Sequence, residues 1–136
     1  MMSNEAKTEY SFSARVVAAY EKVLEAIPAA LKAEGFGILT EIDVKQTLKQ
    51  KIDVDFRPYV ILGACNPNLA HQALQKELEI GLLLPCNILV YDDGDSSVIS
   101  IADPMTMMQM ADNPDLELIA QEARDRLGRA LSTLAE

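Results

Sequence analysis

Three times in this chain an asparagine or aspartate is followed at once by proline: Asn66-Pro67, Asp103-Pro104 and Asn113-Pro114. Each pair fixes a point where extended backbone gives way to a helix. The short polar side chain accepts from orphan N–H groups of the first turn, and proline fits the first helical position because its missing N–H is not needed there. Before the first pair, Tyr59-Val60-Ile61-Leu62-Gly63-Ala64 is apolar on both faces, the pattern of an interior strand. The chain therefore leaves a buried strand through Cys65 and enters a helix expected to reach about Leu78. The second pair predicts a short helix and the third a long one, with a stripe of Leu116, Ile119, Ala120, Ala123, Leu127, Leu131 and Leu134.

The other elements follow from period and punctuation. Tyr10-Ser11-Phe12 reads as a short first strand, with Ser13 as the cap of a helix whose stripe is Val16, Tyr20, Val23, Leu24, Ile27 and Leu31. Pro28 falls inside that stripe and predicts a kink or break near Leu24, and Gly35 supplies a left-handed stop. From Phe36 the period becomes two. Phe36, Ile38, Thr40, Ile42 and Val44 are expected on one face, and Leu39, Glu41 and Asp43 on a wet one. Lys45 to Asp55 is polar, with a single helical turn expected around Leu48. Cys86–Tyr91 and Ser97–Ile101 flank Asp92-Asp93-Gly94-Asp95, a hairpin signature; a calcium loop would need a longer run of spaced oxygen ligands ending in glutamate. The order is β-α-β-β-α-β-β-α. It predicts an α+β fold, an antiparallel sheet with helices on one face.

At 136 residues the chain suits one domain, here 10–136 after a frayed segment 1–9, and needs no metal or disulfide to complete its core. Glu5, Lys7 and Glu9 give the N-terminus no resemblance to a leader, and no apolar run approaches the roughly 20 residues that span a bilayer. A cytoplasmic location with no membrane partner is expected, with Cys65 and Cys86 as thiols. The net charge of -9 opposes nucleic-acid binding, which needs cations to displace counterions from phosphates. Lys45, Lys49, Lys51, Arg124, Arg126 and Arg129 alternate with acids or share a helix face, as on a solvated surface.

Chemistry has few places to reside. Cys65 precedes a helix N-terminus that could stabilise a thiolate, and Cys86 follows Pro85 at the start of a strand. His71, the only histidine, lies near the edge of its helix stripe and is expected to face water. Cys65, Cys86 and His71 offer three ligands where structural zinc takes four, so no metal is expected. Met105, Met107, Met108 and Met110 read as gap-filling core residues. Glu41 and Asp43 should share one side of a strand as solvated carboxylates. Glycine-rich phosphate loops, Gly-x-Ser-x-Gly and His-Glu-x-x-His are absent, so whether the protein is an enzyme stays open, and no cofactor is specified.

Gly35-Phe36-Gly37-Ile38-Leu39-Thr40-Glu41-Ile42-Asp43-Val44, then Tyr59 to Pro67, then Leu82-Leu83-Leu84-Pro85-Cys86-Asn87, resemble the domain of unknown function 302 family, over about Tyr10 to Leu134. The resemblance implies an α+β domain of the TATA-binding-protein-like fold class, a bacterial or archaeal source and homodimers, and no catalytic role for any residue. Two functions are carried forward. One is a ligand-binding or interaction module with a small-molecule site near Cys65, Asn66 and Cys86, His71 being the next candidate. The other is a thiol-dependent enzyme or redox sensor that uses Cys65 with Cys86.

Overall fold

The computed structural model describes residues 3–4 and 8–135. Residues 1, 2 and 5–7 of the segment expected to fray, and Glu136, lie outside the described residues. The elements run β1 (Ser3–Asn4), β2 (Ser11–Val16), α1 (Tyr20–Ala33), β3 (Gly37–Asp43), α2 (Val44–Ile52), β4 (Tyr59–Cys65), α3 (Pro67–Lys76), β5 (Cys86–Asp92), β6 (Ser97–Ala102), α4 (Pro104–Ala111) and α5 (Glu117–Ala135). Short 3-10 turns at Leu78–Leu83 and Pro114–Leu116 complete the chain. The sheet is antiparallel throughout, in the order β1-β2-β6-β5-β4-β3. The expected fold class holds, with α4 as the short helix expected after Asp103-Pro104 and with α2 and the β1 edge as additions.

One face of the sheet forms the core. Val60, Leu62 and Ala64 of β4, Ile88 and Val90 of β5, Ile99 and Ile101 of β6 and Ala14 of β2 pack with Val23, Ile27, Ala30 and Leu31 of α1 and Leu127, Ala130 and Leu131 of α5. A smaller cluster of Ala73, Ile80 and Leu116, with Leu74, Leu83, Leu84, Met108 and Ile119 against it, lies under α3, α4 and the start of α5.

Five local expectations give way in the structure. Ser13 caps nothing: it sits inside β2 opposite Ser100, and α1 starts at Tyr20 behind Ala19, with no side-chain cap bond. A serine cap is worth about 1 kcal/mol, less than the strand pairing that lets Phe12, Ala14 and Val16 reach the core. Pro28 does not break α1, which is one helix from Tyr20 to Ala33. An interior proline costs about 3 kcal/mol, whereas Val23, Ile27 and Leu31 each gain about 1.5–3 kcal/mol on burial. Gly35, at φ 81°, ends the helix as expected, and Phe36 N–H donates to Leu31 O at 2.9 Å.

A bulge at Leu39 overturns the alternation expected in β3. Ile38 pairs with Ala64 but Thr40 pairs with Gly63, so Leu39 has no partner and the faces exchange. Beyond it, Glu41 and Asp43 stand opposite Leu62 and Val60 on the helix side, and Thr40 and Ile42 on the other. They share a side, as expected, and it is the side of Tyr20. Burial, then Asp43, then Glu41 push the Tyr20 hydroxyl up to about 12. The single turn expected at Leu48 is a nine-residue helix, because Asp43 accepts from Gln46 N–H at 2.9 Å and Asp53 closes the other end in a left-handed conformation. The third helix stops at Lys76, two residues short of the expected end.

Gly63 shows how tightly the far face is built. A Cβ there would collide with Thr40 Oγ1 from β3 and would lie 2.6 Å from Pro85 Cγ. Gly63→Ala should therefore lower unfolding stability by about 1–3 kcal/mol in urea melts. Adding Thr40→Ala should recover only part of the loss, since the proline ring remains; full recovery would contradict the two-sided clamp.

Candidate functional site

At the end of β4 the backbone turns at Asn66, and the Asn66 side chain accepts from Leu69 N–H at 3.1 Å with Pro67 at the first helical position. Asn66 is buried, and it is packed from behind: a Cβ on Gly35 would lie 2.9 Å from Asn66 Nδ2 and 3.1 Å from Arg126 Nη1. The left-handed glycine that ends α1 thus also makes room for the cap of α3. On the adjacent strand, Cys86 opens β5 after the cis Leu84–Pro85 bond and stands opposite Ala64.

A cavity of about 50 Å³ lies beside this turn, bordered by Cys65, Asn66, Cys86, Ala64, Ala123 and Met108 among others. Its other walls include Phe36, Leu69, Ala73, Leu84, Pro104, Ile119 and Ala120. It occupies the seam between the large core and the smaller cluster. Among the described residues, the walls contain no Asp, Glu, Lys, Arg or His. Three of the four residues singled out in the sequence, Cys65, Asn66 and Cys86, are brought together. The fourth is not: His71 is exposed on α3 and outside the lining.

Neither thiol is primed. Cys65 pairs with Gly37 and Ala64 with Cys86, so in regular strands the two cysteine side chains leave the sheet in opposite senses, which does not suit a disulfide. Both are free. Burial raises the Cys65 pKa, the opposite direction to the lowering that a helix terminus could give. At Cys86 burial, then the nearby Cys65, push the thiol up to about 11. Among the described residues no group of three His, Cys, Asp or Glu side chains could hold a metal ion.

Sequence reasoning missed the small residues that create the space. Ala64, Ala73, Ala120 and Ala123 occupy core-facing positions on three elements, and the signal available was alanine where a stripe otherwise carries leucine. Four of the six basic residues read as surface form ion pairs: Arg124 with Asp103 at 3.2 Å, Arg126 with Glu122 at 2.6 Å, Arg129 with Glu34 at 3.0 Å and Lys49 with Asp53 at 2.9 Å. The Asp-Gly hairpin loop is also tied by charge, Arg15 meeting Asp93 at 2.6 Å. No described helix is long and apolar enough to cross a membrane.

Fold and seam together define a small α+β domain with an antiparallel sheet covered by helices on one face. The chain belongs to the DUF302 family, whose model, a domain of unknown function, matches residues 12–134. A crystal structure of an uncharacterized conserved DUF302 protein from Bacillus stearothermophilus is similar at a TM-score of 0.87 and 31% identity, covering 95% of this chain and 100% of that one. None of the curated proteins matches the chain.

The Cys86 thiol makes the seam sensitive to alkali. Its folded pKa lies above its unfolded value of about 9, so between about pH 9 and 11 the unfolded state gives up a proton that the folded state keeps. Stability from this group is complete below that window and falls through it. In denaturant titrations the wild type should lose on the order of 2–3 kcal/mol more than Cys86→Ala across those values, each referenced to neutral pH. Parallel pH profiles would contradict the buried-thiol assignment.

Proposed function

We propose that the protein is a cytoplasmic small-molecule binding domain whose site is the seam at Cys65, Asn66 and Cys86. One observation carries this reading: an apolar space at the meeting of two clusters, bordered by residues from β4, α3, β5, α4 and α5. Concave, mostly apolar spaces with a few polar groups at the margin are where small ligands bind. The thiol-dependent alternative has the proximity of Cys65 to Cys86 in its favour, but burial keeps both protonated at neutral pH, which favours binding over nucleophilic chemistry. Net charge and the paired arginines favour a partner other than nucleic acid.

A thermal-shift screen of apolar fragments should find compounds that raise the melting temperature with concentration, because binding to the folded state alone stabilises it by mass action. Ala123→Val, which occupies the space, should abolish the shift. Shifts that survive this substitution would place the ligand elsewhere.

Self-association is part of the same proposal. Leu39, Ile42, Ile52, Val54 and Phe56, on β3, α2 and the loop after it, are exposed apolar side chains near one another in the chain, as an interface requires. Sedimentation of the wild type should give a dimer, and Ile42→Lys with Phe56→Lys a monomer. A monomeric wild type at high micromolar concentration would remove the dimer from the account.

A further inference from the structure

We propose that Met108 is the gate of the seam cavity, and that the ligand class it admits is an uncharged small molecule with a short alkyl or single-ring aryl body. This inference rests on the reading of the seam as a binding site.

The cavity is too small to act alone. At about 50 Å³ it has room for one or two water-sized groups, whereas an apolar cavity that takes up benzene has about 150 Å³. Two larger spaces adjoin it. One, of about 210 Å³, lies between the Leu82–Asn87 segment and Pro104, Met107 and Met108 of α4. The other, of about 330 Å³, lies between the second half of α4 and the start of α5, with Gln109, Asp112, Asn113 and Glu117 in its walls. Met108 borders all three spaces. No other described residue does.

Met108 is also suited to move while its helix stays fixed. The start of α4 is held by Asp103, which accepts from Met105 N–H at 2.9 Å and pairs with Arg124 of α5 at 3.2 Å. Thr106 Oγ1 donates to Glu9 O at 2.9 Å. Methionine has an unbranched side chain with several low-barrier rotations, so it can swing without displacing backbone. A swing of Met108 joins the inner cavity to the 210 Å³ space, with which it already shares Leu84, Pro85, Cys86 and Pro104.

The walls select the ligand. Neither of these two spaces has an Asp, Glu, Lys, Arg or His among the described residues of its lining, and the cysteines hold their protons. A buried charge would find no partner and would cost several kcal/mol. The third space carries Asp112 and Glu117, whose hydration an alkyl or aryl body would disturb, whereas the space beside Leu82–Asn87 is mostly apolar, so we place entry on the Leu82–Asn87 side.

Hexan-1-ol, hexanoate and hexylammonium share a body and differ in charge, so titrating each by calorimetry and by melting temperature tests both parts. Hexan-1-ol should bind and stabilise the wild type, with the two ions at least about tenfold weaker, the factor that 1.4 kcal/mol provides. Met108→Ala should tighten hexan-1-ol binding and Met108→Phe should weaken it about tenfold or more. Met108→Leu, which keeps the volume but stiffens the chain, should slow association, and Met105→Ala, which touches only the third space, should change nothing. If every Met108 variant binds like the wild type while Ala123→Val does not bind, the gate is wrong and the site stands. If Ala123→Val binds as well as the wild type, or hexan-1-ol binds none of the proteins, the cavity reading itself falls. Hexanoate or hexylammonium binding as tightly as the alcohol would overturn the ligand class.

Discussion

The structure depends on burying one face of an antiparallel sheet. Val60, Leu62, Ala64, Ile88, Val90, Ile99 and Ile101 form a continuous apolar surface, and only helices laid across it can remove it from water. Helices α1 and α5 cover most of it. At the Cys86 end, α3 and α4 bring a second cluster against α5, and the two clusters join through small side chains. The cavity is a consequence of that join: two well-packed groups meet where alanines leave the contact incomplete.

Much of this was legible because the governing signals are local. Asn66, Asp103 and Asn113 each accept a backbone N–H of the following turn, so cap-plus-proline pairs were reliable wherever the next element was free to form. Ser13 has the same chemistry and failed, since pairing across to Ser100 serves three neighbours that reach the core. The bulge at Leu39 had no glycine or proline to announce it. It is fixed by the register of β4, where Gly63 accepts the close approach of Thr40, and register is a property of two strands together. Proline at position 28 was overridden by burial on the opposite side of the same helix.

The grouping of three candidate residues was legible in the sequence, and the character of the space between them was not. Cys65, Asn66 and Cys86 stood out by rarity and by the turn they flank, and they do border one space. The nature of that space is set by what is missing from its walls, and absence of volume on elements far apart in sequence leaves no motif. The thiols then follow from burial. Half-buried, with no cation among the described residues of the cavity walls, they are held neutral, and what such surface presents is shape and apolar area rather than charge.

The central claim is that this seam is dry, accessible space. Diffraction from crystals equilibrated with pressurised xenon tests it most directly, because xenon enters apolar cavities and is displaced from wet ones. The account predicts a xenon atom bordered by Ala123, Cys86 and Met108, absent when Ala123 is replaced by valine. Ordered water at that position, or no xenon in the wild type, would contradict it.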